Sequence, residues 1–265
     1  MSGAVYLIDK PAGASSFAMV RTIRRLLGIK KVGHAGTLDP FASGLLIVCA
    51  GRPATKHIET FMGSRKTYLA TMELGVETTT HDPEGVISGR FPVPELQPEQ
   101  IASVLERFVG RQLQAPPHFS AAKHKGKPLY HYARKGILIT KAPREIEIYS
   151  LCLLGYSAPF LEIEVTCGPG TYVRVLGSDI GKALGVGGAS LTYLRRTTSG
   201  PFHVDDALAG EDLTGKAGND ILHARAMSIA AALQCMEYRQ GVISKETGAV
   251  GTLRSENQAA GRQDI

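Results

Sequence analysis

Long apolar runs and regular alternation of apolar and polar residues indicate where the chain forms strands. Residues 45–50 are apolar throughout and end at Gly51, which predicts a strand covered on both faces. Residues 67–74 alternate instead, and Tyr68 and Met72 share one face, as expected for a strand with one buried side. The same signals predict further strands at residues 5–8, 146–154, 160–167 and 191–198.

Helices are predicted where apolar residues recur every three or four positions. The first begins at Ser15 or Ser16 and ends before Gly28, which suits the left-handed turn that closes many helices. Its apolar face is predicted to comprise Phe17, Val20, Ile23 and Leu27. The opposite face and the following loop carry basic residues, for which a solvated surface and an RNA contact are equally open: Arg21, Arg24, Arg25, Lys30 and Lys31. Further helices are predicted at 54–61, 99–108, 171–184 and 221–233.

Composition sets limits on the class of protein. With 265 residues, 43% of them hydrophobic, the chain can bury one large core, or one core and a small appendage. No apolar run has the length of a membrane span, and residues 1–11 lack the apolar segment of a signal peptide, so we expect a soluble cytoplasmic protein without a membrane partner. The net charge of +6 is compatible with a polyanionic partner.

Cofactor signatures are missing from the sequence. There is no P-loop and no complete G-x-G-x-x-G, so a nucleotide cofactor has no support. The four cysteines are widely spaced, form no C-x-x-C pair and lie mostly in apolar runs, which predicts reduced core thiols rather than zinc ligands or disulfides.

A glycine-rich polar loop, residues 33–44, leads directly into the apolar strand at residues 45–50. Asp39 is the only carboxylate in this loop, and Pro40 restricts the backbone directly after it. A carboxylate held beside the core suggests a chemical role. An Asp-Pro dipeptide also commonly makes a simple turn, and for an arbitrary Asp-Pro that is the better interpretation.

The segment from residue 111 to residue 144 contains eight basic residues and no acidic one, interleaved with histidines and aromatic residues. Basic groups neutralise phosphates and aromatic rings stack on unpaired bases, so this composition suits RNA, with an ordinary solvated loop as the alternative. A zinc site formed by its histidines is excluded by their spacing and by the lack of nearby cysteines. Candidate RNA contacts are Lys123, Lys125, Lys127, Tyr130 and Arg134.

The loop G-H-A-G-T-L-D-P-x-A-S-G closely resembles the nucleophile loop of the TruB family of tRNA pseudouridine synthases. Four other segments resemble the same family in the right order. They are Lys10-Pro11 with Gly13, K-T-Y at 66–68, C-G-P-G-T-Y-V-R-x-L-x-x-D-I-G at 167–181, and L-R-R-T-x-x-G-x-F at 194–202. The resemblance covers about residues 5–204. It departs from the family pattern at Ala122 and His124, where bulkier apolar residues are expected.

This resemblance implies an α+β pseudouridine synthase fold, with a mixed, mainly antiparallel sheet, flanking helices and an RNA-binding insertion. The catalytic domain would comprise residues 1–210, with the insertion at about 111–144. Residues 211–265 would form a short C-terminal extension, in the place where related enzymes carry a small RNA-binding domain that this tail is too short to complete.

The family resemblance also implies roles for single residues. Asp39 would be the nucleophile, attacking ribose C1′ or uracil C6, and Arg174 would keep it ionised. Tyr68 would stack on the uracil, either as a platform alone or as the group that also handles the C5 proton, and Leu194 would close the base pocket. Substrate contacts are expected from Lys10, His34 and the insertion.

The implied reaction is isomerisation of uridine 55 in the T-loop of tRNA, after the base has flipped out of its loop. It requires no cofactor and no metal, and we expect a monomer that binds the T-arm. One alternative is a non-catalytic tRNA-binding or RNA-folding protein on the same scaffold. Another is a pseudouridine synthase that acts on a different RNA. The joint presence of Asp39, Tyr68 and Arg174 favours the enzyme.

Overall fold

The structure, a computed structural model, describes residues 3–238. Its strands are β1 (Ala4–Lys10), β2 (Val32–Ala35), β3 (Ser43–Ala50), β4 (Lys66–Leu74), β5 (Val76–Thr78), β6 (Ile87–Arg90), β7 (Gly110–Gln114), β8 (Lys123–His124), β9 (Lys127–Pro128), β10 (Arg144–Ser157), β11 (Phe160–Cys167), β12 (Ala189–Ser199), β13 (Phe202–His203), β14 (Leu208–Ala209) and β15 (Met227–Ser228).

The helices lie mainly between these strands. They are α1 (Ser16–Leu27), α2 (Arg52–Thr55), α3 (Ile58–Met62), α4 (Pro98–Glu106), α5 (Leu129–Ala133), α6 (Val173–Ala183) and α7 (Gly215–Ala224), with two short 3-10 helices at Val204–Asp206 and Gly210–Asp212. Residues 229–238 are also helical.

One mixed, mainly antiparallel sheet of eleven strands organises the described part of the chain. Its order is β14-β1-β3-β12-β4-β11-β10-β7, with β15 paired to β1, β2 to β3 and β13 to β12. Only the pairs β3 with β12 and β1 with β14 are parallel within the described residues. Helices flank the sheet, so the expected α+β architecture is confirmed.

The two halves of the sheet are buried differently. In the half with β1 and β3, one face packs on α1 and the other on the helices after β3 and the helical segment 229–238. Burial on both faces explains why residues 45–50 are apolar without interruption. In the other half, β4 and β11 alternate buried and less buried residues, and their inner face packs on α4 and α6.

The two halves meet where β3 pairs with β12, and this contact is short. Only Ser43 and Gly44 of β3 are in register, with Arg195 and Arg196 of β12. Gly44 has a φ of +104° and approaches the backbone of Arg196 so closely that a Cβ there would collide with its carbonyl oxygen. The glycine-rich loop enters β3 at this junction and crosses from one core to the other.

Helix α1 confirms one sequence prediction and corrects another. Ser15 is the N-cap, its side chain accepts a hydrogen bond from the N–H of Ala18, and Gly28 ends the helix in the left-handed conformation. Phe17, however, is 53% exposed, so its assignment to the buried face is wrong. Ser16 occupies the inner position instead, because its hydroxyl hydrogen-bonds Leu38 of the glycine-rich loop.

Three further predictions are corrected by the structure. The helix expected at 54–61 is two short helices, α2 and α3, of which α2 contacts both β2 and β3 and α3 contacts β2. The helix expected at 221–233 is interrupted by β15, because Met227 pairs with Val5 of β1. The four cysteines form no disulfide, but Cys152 and Cys235 are exposed and only Cys49 and Cys167 are core thiols.

The described residues after 210 pack against the same cores as the rest of the chain. Leu213 and Leu222 join the cluster beneath α1, and Ala232 and Met236 join the cluster on the opposite face of β1 and β3. The remainder of the predicted C-terminal extension, residues 239–265, lies outside the described residues.

Candidate active site

The glycine-rich loop is fixed by polar contacts on both sides of Asp39. Ser16 Oγ donates to the carbonyl of Leu38 and accepts from its N–H, both at 2.9 Å. The N–H of Gly13 donates to the carbonyl of Pro40 at 2.8 Å. Leu38 and Ala42 are buried, at 3% and 0% exposure, so the loop backbone is held in the core on either side of the carboxylate.

Asp39 is paired with Arg174, which the first turn of α6 presents from across the cleft. Arg174 Nε lies 2.7 Å from Asp39 Oδ2, and the two side chains are 2% and 33% exposed. Burial raises the pKa of the Asp39 carboxyl, whereas the Arg174 guanidinium opposes that rise by favouring the charged form. The result is a carboxylate that is oriented by a cation yet open to the cavity.

Arg174 binds three further groups, which leaves its guanidinium little freedom. Its Nη1 lies 3.2 Å from Oδ2 of Asp82, a buried carboxylate with 3% side-chain exposure, and donates to the carbonyl of Thr80 at 2.7 Å. Its Nη2 donates to the carbonyl of Phe119 in the basic segment at 2.8 Å. One buried cation therefore joins the Asp39 loop, the turn after β5 and the base of the insertion.

Asp82 is a functional candidate that the sequence analysis missed. Its Oδ1 accepts hydrogen bonds from Thr80 Oγ1 and from the N–H of Glu84 at 3.0 Å, an arrangement typical of an Asp in a turn. The only local signal is an Asp-Pro in a hydroxyl-rich turn, which resembles Asp39-Pro40 but has no glycine-rich loop around it.

A cavity of about 220 Å³ opens beside Asp39. This is below the size typical of pockets for drug-sized ligands, and it suits a single planar base. Tyr68 and Leu194, at 8% and 5% exposure, form apolar parts of its wall. The lining consists of Gly36, Thr37, Leu38, Asp39, Met62, Lys66, Tyr68, Ser120, Ala121, residues 168–174, Leu194 and Arg196.

Two other buried cations line this cavity and were not predicted. Arg196 is 1% exposed, and it donates from Nε to the carbonyl of Leu45 at 2.7 Å and from Nη2 to that of Gly36 at 3.0 Å. Lys66 donates to the carbonyls of Met62 and Ser64 at 2.6 and 2.5 Å, and burial lowers the pKa of its ammonium to about 8. Burial likewise raises the pKa of the Tyr68 phenol, which keeps its proton at neutral pH.

Two predicted substrate contacts, Lys10 and His34, lie outside the cavity lining. Lys10 is fully buried, and its Nζ donates to the carbonyls of Pro11, Ala14 and Pro40 at 2.9, 2.6 and 3.3 Å. These carbonyls, including that of Pro40 beside Asp39, enclose its ammonium, and the contact of Lys10 with the substrate stays a prediction. His34 lies on β2 with partial exposure, and burial lowers the pKa of its imidazole.

The predicted contacts of the insertion are exposed. Lys123, Lys125 and Lys127 lie on β8, in the turn after it and on β9, and the guanidinium of Arg134 lies 5.4 Å from the ring centroid of the exposed Tyr130. None of these five residues takes part in an ion pair within the described part of the chain. Arg111, at the start of the segment, instead belongs to β7 and lies 3.8 Å from Glu145.

Between residues 3 and 238, His, Cys, Asp and Glu side chains form no group of three or more that could hold a metal ion. In the same range, no helix combines the length and the apolar character that crossing a membrane requires.

Comparisons with known proteins match most of the chain. Residues 24–173 match the model of the TruB family pseudouridylate synthase, N-terminal domain. The tRNA pseudouridine synthase B of Desulfotalea psychrophila is 53% identical over 230 residues, which cover 85% of this chain and 93% of that protein. The tRNA pseudouridine synthase B of Francisella philomiragia is 46% identical over 210 residues, 79% of this chain and 69% of that protein.

Solved structures show the same fold. A chain of a Cbf5-Nop10-Gar1 complex matches with a TM-score of 0.61 and 31% identity over 79% of this chain and 53% of its own length. A chain of an H/ACA RNP bound to a substrate RNA containing 2′-deoxyuridine matches with a TM-score of 0.62 and 25% identity, over 88% of this chain and 61% of its own length. This chain thus spans little more than half the length of those two chains. By its sequence, its fold and the relatives it matches, the chain belongs to the TruB family of pseudouridylate synthases.

Proposed function

We propose that this protein isomerises uridine to pseudouridine in tRNA, and that its target is the uridine of the T-loop at position 55. The observation that carries the proposal is the Asp39 carboxylate, paired with Arg174 at 2.7 Å and open to a cavity of the size of one base. Asp82 is paired with the same guanidinium but does not line the cavity, so the cavity is what distinguishes Asp39 from a carboxylate that serves its turn alone.

In this reaction the N1 glycosidic bond breaks, the uracil turns, and C5 bonds to ribose C1′. The proton that C5 gives up is balanced by the one that N1 acquires, so the product is an isomer and no electrons are gained or lost. Asp39 acts as the nucleophile, either at C1′, where it would hold the sugar while the base turns, or at C6 of the uracil. Neither route requires a cofactor or a metal.

Arg174 supports the nucleophile by charge and by position. A nearby cation favours the ionised carboxylate, and the contacts of Arg174 to Asp82 and Thr80 hold the guanidinium before substrate arrives. Such preorganisation lowers the reaction barrier, because a pair already held in place does not have to reorient during the reaction.

Tyr68 and Leu194 supply the surfaces against which the flipped uracil packs. The Tyr68 ring offers a stacking face, and its hydroxyl is the candidate group for handling the C5 proton. To accept that proton the phenol must first release its own, a step that burial opposes and the nearby Arg196 guanidinium favours. Leu194 closes another part of the pocket wall. Unstacking a base costs a few kcal/mol, which contacts elsewhere on the RNA must offset.

Those contacts are assigned to the insertion, with His34 as a further candidate beside the loop. Exposed lysines that pair with no carboxylate of residues 3–238 suit the phosphates of the T-arm, and Tyr130 suits an unpaired base. We assign the catalytic domain to residues 1–210, the insertion to about residues 111–144 and a C-terminal extension to residues 211–265. We further propose a cytoplasmic monomer.

Release of tritium from tRNA carrying C5-labelled uridine tests the reaction directly. The wild-type protein should release one tritium for each target uridine, and Asp39→Asn should release none above background while still binding tRNA. Asp179→Asn is the matched control, because this partly buried carboxylate lies on α6 outside the cavity. Near-normal release by Asp39→Asn would refute the nucleophile. Binding without release by the wild type would favour a non-catalytic RNA-binding protein.

The position of the target uridine and the need for the rest of the tRNA are tested by the same assay. Full-length tRNA and an isolated T-arm hairpin, each labelled, should both release tritium, and a substrate with cytidine at position 55 should not. Tritium release from the substrate with cytidine at position 55 would show that the target uridine lies elsewhere in the RNA.

A further inference from the structure

Helix α1 presents a second cationic surface that the proposed function does not use. Residues 11–38 contain no acidic residue. Arg21 and Arg25 on the helix, and Lys30 and Lys31 in the loop after it, are exposed. None of them takes part in an ion pair within residues 3–238. Their positive charge is therefore left uncompensated by the rest of the described chain.

An exposed aromatic ring lies at the start of this surface. Phe17 is 53% exposed, and the guanidinium carbons of Arg21 and Arg24 lie 5.7 and 5.6 Å from its ring centroid. At the other end of the helix, basic side chains and the backbone turn at Gly28 line a shallow concavity. An accessible ring edged by cations, followed by a basic hollow, matches the combination that single-stranded RNA requires.

The position of α1 relates this surface to the candidate active site. The glycine-rich loop is bound by α1, through Ser16 and Leu38, and by α6, through Arg174 and Asp39. The insertion joins the α6 side, because the carbonyl of Phe119 also binds Arg174. A helix of twelve residues is about 18 Å long, so the cationic surface starts near Ser16, which binds Leu38, and reaches the far end of the helix, where Arg24 binds Val32.

A purely structural role accounts for only part of this charge. Arg24 and Arg25 lie in the last turn of α1, where cations interact favourably with the helix dipole, and Arg24 Nη2 also donates to the carbonyl of Val32 at 2.9 Å. Arg21 lies in the middle of the helix, and Lys30 and Lys31 lie beyond its end. These three residues gain no such interaction.

We propose that Phe17, Arg21, Arg25, Lys30 and Lys31, here called the α1 surface, form a second RNA contact, separate from the insertion and linked to the pocket through the Asp39 loop. It binds phosphates of the tRNA outside the nucleotides held in the pocket, and Phe17 stacks on an unpaired base. The inference rests on the proposed function, since it takes the bound RNA to be the substrate. It adds a second point of attachment, which holds the RNA while the target base is extruded.

The test compares two double variants that each remove two positive charges. The α1 variant combines Arg21→Gln and Arg25→Gln, and the control variant combines Arg90→Gln and Arg107→Gln. Arg90 and Arg107 are exposed and lie on β6 and directly after α4, and neither lines the cavity or belongs to α1. Affinity for full-length tRNA is measured across a range of salt concentrations, and tritium release at saturating tRNA is measured beside it.

The α1 variant should bind tRNA roughly tenfold more weakly at low salt, and the slope of log affinity against log salt should fall by roughly 1.4 to 1.8. Its kcat should match that of the wild type, because neither residue touches the cavity, whereas its KM should rise. Phe17→Ala should weaken binding several-fold and leave the salt slope unchanged, since stacking releases no counterions. The control variant should behave as the wild type does.

Equal affinity and equal slope in the α1 and control variants would overturn the proposal. The proposal would also be overturned if the α1 variant bound vesicles of anionic lipid less well than the wild type while its affinity for tRNA was unchanged. That result would assign the surface to a membrane. If the α1 double variant melts early, Lys30→Gln with Lys31→Gln, in the loop outside the helix, repeats the measurement. Absence of tritium release by the wild type would refute the proposed function, and the salt slopes would still report on the α1 surface.

Discussion

The cations of the pocket and those of the insertion carry the same charge in opposite surroundings. Arg174 and Arg196 are 2% and 1% exposed, and each donates to backbone carbonyls or lies against a carboxylate. Lys123, Lys125 and Lys127 are exposed and take part in no ion pair within the described residues. The two groups lie close together, because Phe119 and Ser120 of the insertion reach Arg174 and the cavity.

This difference separates two tasks. A buried charge is tolerated only with fixed partners, and once those are in place it holds a reacting carboxylate in one orientation. An exposed lysine contributes little by itself and is screened by salt, yet several of them together displace the counterions of a polyanion. We therefore expect chemistry at the pocket to be insensitive to salt, and capture of tRNA by the insertion to be strongly sensitive.

The strongest test of the buried group is Arg174→Gln. It removes the cation that faces both Asp39 and Asp82 and leaves two carboxylates near each other without a counter-charge. We expect kcat to fall roughly 10³-fold and the free energy of unfolding to fall by about 3 to 5 kcal/mol. Single-turnover tritium release and urea denaturation measure these effects, with Arg107→Gln as the exposed control. A variant with normal kcat would show that the pair is structural only.

Tyr68→Phe has the next largest expected effect, because it removes one hydroxyl and keeps the ring. If that hydroxyl handles the C5 proton, kcat should fall roughly 10²-fold while tRNA affinity stays constant. Single-turnover rates and binding isotherms at the same salt concentration separate the two quantities. Unchanged turnover would leave Tyr68 with stacking alone, and Tyr68→Ala would then be the variant that loses activity.

How far the sequence predicts this site depends on the distance between partners along the chain. Asp39, Tyr68 and Arg174 lie in motifs whose residues are consecutive, so each could be recognised locally. Asp82 and Arg196 become meaningful only through their partners, which lie 92 residues after Asp82 and 151 residues before Arg196. No local pattern reports such a pairing.

The errors in the fold have the same origin. The spacing of Phe17 fits the apolar face of α1, but Ser16 takes the inner position because it must reach Leu38, 22 residues later. A lysine at the end of a strand usually lies at the surface, yet the Nζ of Lys10 is enclosed by three carbonyls that only the folded loops bring together. Long apolar and alternating segments, such as residues 45–50 and 67–74, were predicted well because their burial is decided within the segment.

The exposed group is tested by Lys123→Gln, Lys125→Gln and Lys127→Gln combined. Affinity for tRNA should fall roughly tenfold at low salt, and the salt slope should fall by roughly 2.1 to 2.7 if each lysine meets one phosphate. The rate at saturating tRNA should not change, since none of the three lines the cavity. A normal slope would mean that the insertion does not hold the RNA, and a reduced saturating rate would mean that it also acts on the chemistry.

The smallest expected effect, and the one that compares the two groups most directly, is on the acid side of the pH profile. Burial raises the pKa of the Asp39 carboxyl, and the Asp82 charge raises it further. Because the nucleophile must be ionised, the rate of the wild type should begin to fall at a pH above the ordinary pKa of an aspartate.

Asp82→Asn removes a negative charge that disfavours ionisation of Asp39, so the fall in rate should move to lower pH, with a few-fold difference in relative rate at the most acidic pH. The triple lysine variant should leave the profile in place, because solvent and salt screen charges at the insertion before they reach Asp39. Single-turnover rates from pH 4.5 to 8 at constant ionic strength measure all three proteins. A shift in the lysine variant, or none in Asp82→Asn, would show that buried and exposed charges do not divide the work between chemistry and capture.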